Sequence, residues 1–254
     1  MRIAAFRPFD RTLNYNKKIF YYPKLKTLYL SPYVFSKEIL EEYLSILEKF
    51  KPHFINAHPS TLSIIVKYLK YKRSNLYFRL RAILTLGTTL YPDLRKEIEN
   101  YFNCSIFDWY GMSECIVSAN ECDRHRGYHV NFEQGILEIA EDSKRNEIVG
   151  TTLINKAMPF IRYKIKDEVD VSNGACSCGR GRIILKSIFG KKKDTIITPD
   201  RKVVTRVFFA MLAYNRRWIS HVQFIQEKIG VLRVKIVKMY EPNQSQIQEF
   251  LAPP

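Results

Sequence analysis

The feature that most narrows the folds open to this chain is a change of hydrophobic period partway along it. From Ser36 to Phe50 the apolar residues Ile39, Leu40, Tyr43, Leu44, Leu47 and Phe50 recur at helical spacing. Ser36 is placed to cap that helix and Pro52 to end it. A second helix is predicted after Pro59-Ser60, with Leu62, Ile65, Val66 and Leu69 on one face. A strand-like run at Ala82–Thr85 precedes a third helix, opened by Pro92, with Leu94, Ile98 and Phe102 inward. Another short apolar run covers Ser105–Tyr110. Strand alternating with helix predicts an α/β sheet with flanking helices.

After about Tyr128 the helical spacing disappears. Ile136–Ile139, Ile148–Leu153 and Ile161–Val171 read as strands joined by short turns, which predicts a β-rich subdomain. From Gly190 the pattern changes again. Thr195–Thr198, a Pro199-Asp200 turn and Val203-Val204 come first, then a helix from about Arg206 to Tyr214. Strands at Val222–Ile225 and Val231–Val237 follow, and Glu241–Pro254 reads as the start of a helix that stops early. The expected organisation is α/β over 1–127, β-rich over 128–189 and a small α+β unit over 190–254.

Charge and cysteine usage limit the setting. The chain carries 41 Lys+Arg against 25 Asp+Glu, a formal net charge of +16. That balance favours anionic partners, although much of it is Lys scattered beside Ile, Asn and Tyr, which a solvated basic surface explains equally well. No nucleic-acid fold signature accompanies it, so nucleic acid is not an expected partner. No apolar run reaches the roughly 18–20 residues of a membrane span, and Arg206 interrupts the longest candidate, Val203–Tyr214. MRIAAFRPFD lacks the charged flank and apolar stretch of a secretory signal. Five cysteines without such a signal point to reduced thiols in the cytoplasm.

Two constellations could carry chemistry. Tyr110-Gly111-Met112-Ser113-Glu114 lies where an apolar strand gives way to a helical or polar stretch. A tight turn there presents backbone N–H groups, a hydroxyl and a carboxylate to one spot, which suits a phosphate and its magnesium ion. A plain strand-to-helix turn explains the segment about as well. Asp167 closes the strand Pro159–Asp167, where a carboxylate can accept both hydroxyls of a ribose or simply face solvent. Gly190-Lys191-Lys192-Lys193-Asp194 is a basic turn at a composition boundary, placed as a hinge would be. The second constellation is metallic. Cys122, His129 and Cys176-Ser177-Cys178 supply four soft ligands suited to tetrahedral zinc, with His125 competing for the fourth position and reduced cysteines in a turn as the plain alternative. Cys104 reads as core and Cys115 is left over.

These segments, in this order, resemble the adenylate-forming enzymes, most closely their phenylacetate–coenzyme A ligase and CapK-type branch. Leu30-Ser31-Pro32-Tyr33, Phe50-Lys51-Pro52-His53-Phe54-Ile55-Asn56-Ala57-His58-Pro59-Ser60 and Cys176-Ser177-Cys178-Gly179-Arg180 are similar to further segments of that branch. The resemblance runs from about residue 20 to about residue 240. It implies that Tyr110 and Gly111 lie against adenine, Ser113 near the α-phosphate and Glu114 on the magnesium ion, with Asp167 on the ribose. Lys191 stands where an Arg is usual, losing the bidentate fork, and Lys193 falls at the hinge. The same branch has Glu-Cys, several residues, then His before a strand, which favours His129 over His125 and a structural zinc. His58 lies where the family lines its acyl pocket, and Thr88 replaces a usual Glu.

The family's Gly/Ser/Thr-rich phosphate loop has no counterpart here, and the catalytic Lys of its lid would lie beyond Pro254. The resemblance therefore implies the C-terminal part of the large adenylate-forming domain over 1–189, followed by a truncated lid. The expected activity is that of an acyl–coenzyme A ligase using ATP, AMP, magnesium and coenzyme A on a small-molecule carboxylate, in aromatic degradation or capsular polysaccharide biosynthesis, impaired when alone. The rival expectation is a non-catalytic, zinc-stabilised remnant, or one half of a split ligase with a separately encoded N-terminal half.

Overall fold

In the computed structural model, residues 1–7, 18–32, 36–141, 146–172, 174–180, 183–190, 195–201, 203–205, 216 and 218–251 are described. The parallel part begins with β1 (Ile3–Phe6) and β3 (Thr27–Leu30), with β2 (Ile19–Tyr22) antiparallel at the edge. Three strand–helix steps follow: α1 (Lys37–Phe50) to β4 (Phe54–Ala57), α2 (Pro59–Tyr71) to β5 (Ala82–Leu86), and α3 (Pro92–Phe102) to β6 (Ile106–Tyr110). Ser36 caps α1, its hydroxyl accepting from the Ile39 N–H at 3.4 Å. The helix stops at Phe50, two residues before Pro52. Proline disfavours the right-handed conformation in the residue before it, and Lys51 leaves in the left-handed region at φ 48°. Pro59 and Pro92 open α2 and α3, as their fixed φ permits.

All three helices share one face. Strands β3, β1, β4, β5 and β6 lie in that order and are parallel. The β3-to-β4, β4-to-β5 and β5-to-β6 steps all advance the same way. Right-handed crossovers moving one way across a sheet deliver every helix to the same side. There Ala4, Phe6, Ile55, Ala57, Ile83 and Ile106 pack against Tyr43, Leu47, Leu62, Val66, Leu69 and Ile98. The register turns Ile3, Ala5, Tyr29, Phe54, Leu84, Leu86, Phe107 and Trp109 the other way, continued onto β2 by Phe20 and Tyr22. None of these belongs to a hydrophobic cluster of the described residues.

The sheet does not end at β6. It continues antiparallel through β7 (Ala119–Glu121), β8 (Tyr128–Val130), β12 (Ile184–Gly190), β11 (Tyr163–Ser172), β10 (Asn146–Thr152) and β9 (Gly135–Glu141), making twelve strands. The β-rich half extends the same sheet and carries its own core of Ile116, Val117, Ala119, Val130, Leu137, Ile148, Ile165, Val169 and Leu185. That core begins before Tyr128, with the residues that follow the turn after β6.

Beyond Gly190, β13 (Thr195–Ile197) pairs with β14 (Val203–Thr205), and β15 (Ile219–Lys228) with β16 (Val231–Lys238). The Gln226 carboxamide joins the pairs, accepting from the Ile197 N–H at 2.8 Å and donating to its carbonyl at 2.7 Å. A final helix, α4 (Gln244–Leu251), places Phe250 edge-on to Trp218 at 5.9 Å. The helix expected over Arg206–Tyr214, together with Lys191 and Lys193, lies outside the described residues. No helix among the described residues is long and apolar enough to cross a membrane.

Candidate functional site

Tyr110 ends the last parallel strand, at the carboxyl edge of the sheet where open α/β sheets hold ligands. Its hydroxyl donates to Asp167 Oδ2 at 2.7 Å, joining two stretches 57 residues apart in the chain. Asp167 reaches that position through a bulge. Between the pairs Glu147–Glu168 and Val149–Lys164, β10 advances two residues and β11 four. The surplus is absorbed around Lys166, at φ 66°, and the bend re-aims the half-buried carboxylate toward β6. Burial, and then the Asp167 charge and hydrogen bond, push the Tyr110 phenol far above its ordinary range. Tyr110 therefore stays protonated and acts as donor, orienting the carboxylate.

No helix follows Tyr110. The chain turns at Met112, whose carbonyl accepts from the Cys115 N–H at 3.1 Å, with Cys115 in the left-handed region at φ 53°. It then returns antiparallel as β7. The tight turn expected there is present, leads into a strand rather than a helix, and is braced from β10 and the residues after it. Asn155 donates to the Glu114 carbonyl at 3.0 Å and Thr152 to the Cys115 carbonyl at 2.9 Å. The side chains of Ser113 and Glu114 remain exposed above it. At Gly111 a Cβ would stand 2.7 Å from Trp109 Cη2, so the turn closes over the indole only with glycine.

Two strands away along the same edge, past β5, lies the end of β4. His58 Nδ1 sits 2.8 Å from the Leu86 carbonyl, and Gly87, at φ 80°, gives the ring its room, since a Cβ there would meet His58 Cε1 at 2.5 Å. Burial, with Arg7 nearby, holds the imidazole below its ordinary pKa. Asn56 Oδ1, Ser60 Oγ and Thr88 Oγ1 are buried at the same edge without hydrogen-bond partners among the described residues.

The four predicted metal ligands meet. The donor atoms of Cys122, His129, Cys176 and Cys178 all lie within 4.8 Å of one another. Cys122 Sγ is 3.7 Å from Cys176 Sγ, and Cys178 Sγ is 3.5 Å from His129 Nε2. Zn–S bonds of about 2.3 Å in a tetrahedron put sulfurs about 3.8 Å apart, so the set fits zinc. Burial, then Arg180, holds His129 below its ordinary pKa and so neutral, as a ligand must be. His125 turns elsewhere, stacking on Phe107 at 4.9 Å and facing Glu121 at 3.5 Å.

One feature was not anticipated. Asp108, buried on β6, accepts from Thr85 and, at 2.7 Å, from Tyr128, while its N–H donates to Glu121 at 2.9 Å. Glu121 also takes Arg95 Nη2 at 2.6 Å. Glu121 and Tyr128 are the immediate neighbours of Cys122 and His129, so this network ties the Cys/His cluster to the strand that carries Tyr110. An acid inside the apolar run Ser105–Tyr110 was its visible signal.

The chain is similar to known proteins. A family model described as AMP-binding enzyme matches residues 27–186. Protein CapK of Staphylococcus aureus is 26% identical over 236 residues, 91% of this chain and 52% of its own length. Phenylacetate-coenzyme A ligase of Thermus thermophilus is 24% identical over 204 residues, 76% of this chain and 46% of that protein. The chain thus spans about half the length of these curated relatives. Among solved structures, an open conformation of 2-hydroxyisobutyryl-CoA ligase in complex with 2-HIB-AMP and CoA matches with TM-score 0.60 at 16% identity, covering 98% of this chain and 59% of that one. That likeness speaks for the fold.

Proposed function

Because the chain belongs to the family of AMP-binding enzymes, we propose that it serves an adenylate-forming acyl–coenzyme A ligase reaction. In this reading a carboxylate oxygen attacks the α-phosphorus of ATP and pyrophosphate leaves. The thiol of coenzyme A then attacks the acyl carbon, AMP departs and the thiol proton passes to solvent. The observation that carries the reading is the hydrogen bond from Tyr110 to Asp167. It holds one carboxylate oxygen, turning Asp167 toward ribose hydroxyls, while the turn after Tyr110 meets adenine through Tyr110 and Gly111 and the α-phosphate through Ser113. Glu114 and Ser113 offer hard oxygen donors suited to magnesium, which when bound would offset phosphate charge. Lys191 is assigned a phosphate contact. Cys122, His129, Cys176 and Cys178 would hold a structural zinc, and free thiols of this kind support a reducing, cytoplasmic setting.

Titration calorimetry with AMP and with ATP·Mg tests the reading: heat is expected from the folded protein and is lost in Asp167→Ala. Folded protein that gives no heat with either ligand overturns it. Turnover by this chain alone is expected to be slight, since it spans about half of its relatives, and ready pyrophosphate release would contradict that.

A second reading, half of a ligase completed by a separately encoded N-terminal half, is favoured by the sheet face away from α1, α2 and α3, where Ile3, Phe54, Leu84 and Phe107 join no hydrophobic cluster of the described residues. Parallel sheets are ordinarily covered on both sides. Six strands spaced about 4.8 Å apart make a face about 24 Å wide, room for two helices of about 10 Å.

A further inference from the structure

The opposite edge of the sheet, at the amino ends of the parallel strands, carries a concavity. Its volume is about 500 Å³ and it is lined by His53, Arg79, Leu80, Arg81, Asn103, Cys104 and Ser105. Three connections converge there, the residues entering β4, β5 and β6. Backbone bonds fix them to one another: the Arg81 N–H donates to the His53 carbonyl at 2.8 Å, and the Ile83 N–H to Ser105 at 3.0 Å. Arg2 adjoins them, its N–H donating to His53 Nδ1 at 2.9 Å and its Nε to the Lys51 carbonyl at 3.0 Å.

Charge and donor chemistry agree. Neither Arg79 nor Arg81 has a carboxylate partner among the described residues. The nearby acids are engaged elsewhere: Glu99 with Arg95 and the Ile106 N–H, Glu48 with the Tyr77 N–H. Because Nδ1 of His53 accepts from Arg2, a neutral ring carries its proton on Nε2. Burial, then Arg2 and Arg81, hold that imidazole below its ordinary pKa. The lining thus offers two guanidinium forks, a ring N–H, a carboxamide and a hydroxyl, and no acid.

We propose that this cradle binds a small phosphorylated anion, with Arg79 and Arg81 as its bidentate clamps and Asn103 and Ser105 as neutral donors. The volume lies in the range of small-molecule sites and admits a phosphate together with the molecule that bears it. It also gives part of the +16 charge a specific use. The cradle lies at the end of the strands remote from Tyr110 and Asp167, so the two sites can be tested separately.

The test is titration of the full chain with inorganic phosphate, tripolyphosphate and AMP, followed by calorimetry and by amide resonances of residues 79–81 and 103–105. Tripolyphosphate is expected to bind and shift those resonances. The double variant Arg79→Ala/Arg81→Ala should weaken it at least about tenfold, whereas Asp167→Ala should leave it unchanged. Arg81→Gln, a milder change at an exposed position, should produce part of the loss. A cradle shift with AMP that survives Asp167→Ala identifies nucleotides as the source, and a shift with phosphate but not AMP identifies free phosphate; both support the site. Equal affinity in the double variant overturns the proposal. So does the absence of binding at millimolar phosphate together with a lower melting temperature of the double variant, because the arginines then only face the carbonyl ends of α1 and α3. Tighter binding of a short oligothymidylate, with a salt slope of several counterions, overturns it in favour of a nucleic-acid surface.

Discussion

Between β4 and β6 the inward side chains meet helices, whereas between β8 and β12 they meet other strands and a knot of three thiols and an imidazole. The first core gathers nineteen buried residues among those described, the second nine. Apolar burial contributes roughly in proportion to area removed from water, so the parallel half has the larger hydrocarbon contribution to its stability. The antiparallel half holds its strands by ladder bonds and by polar and metal-type contacts at its rim. The difference teaches where each kind of perturbation should act: disruption of the Cys/His cluster on the antiparallel half, loss of methyl groups on the parallel half, and loss of a polar bond at the seam between them.

The largest effect is expected from the Cys/His cluster. Cys176→Ser/Cys178→Ser, or a strong chelator, should reduce amide-exchange protection at Tyr128–Val130 and Ile184–Leu185 at least about tenfold, while residues 55–57 and 83–85 keep theirs. Equal loss in both regions would show one cooperative unit and break the comparison. Next comes Ile83→Ala, which removes a fully buried side chain from the larger core. A cost of about 2–5 kcal/mol in urea unfolding is expected, with the parallel strands losing exchange protection first.

Tyr128→Phe probes the seam. It deletes the 2.7 Å bond to Asp108, whose carboxyl is buried and pushed above the usual Asp range chiefly by that burial. Leaving the acceptor with Thr85 alone should cost about 1–3 kcal/mol, felt on both sides of β6–β8. Loss confined to one half would move the boundary away from the seam.

How much of this was legible in the sequence follows the same division. α1, α2 and α3 show because an amphipathic helix repeats its pattern over ten or more residues and because Ser36, Pro59 and Pro92 mark its start. The strands after Tyr128 show as strands, but their order does not: β12 pairs with β8 across 53 intervening residues, and no local pattern encodes such a partner. The donor atoms of the Cys/His cluster converge because residue type alone narrows the choice to a few side chains. Tyr110 and Asp167 could be named from their segments, yet the bulge that joins them is hidden. Its left-handed residue is Lys166, where a glycine would have announced the bend. The second face of the sheet was hidden for another reason. Phe54, Leu84 and Phe107 look like ordinary core residues until the strand order shows that α1, α2 and α3 lie on the other side.

The smallest effect belongs to pH, and it separates the two edges of the parallel half from the cluster. His58 is held below its ordinary pKa by burial, with Arg7 adding to it. Its unfolded value is about 6.5, so above that pH both states are neutral and its contribution is complete. As pH falls below 6.5 the unfolded chain takes up the proton first, and stability declines until the lower folded value is reached. His58→Gln should remove part of that decline in the urea midpoint, read by the exchange of β4 and β5 so that acid release of a metal at His129 does not enter. A decline of unchanged size in the variant would assign it to His53, whose ring is depressed in the same direction at the opposite edge. Tripolyphosphate in the cradle would then be expected to reduce that decline, because an anion beside His53 favours its protonated form and raises its folded pKa toward the unfolded value.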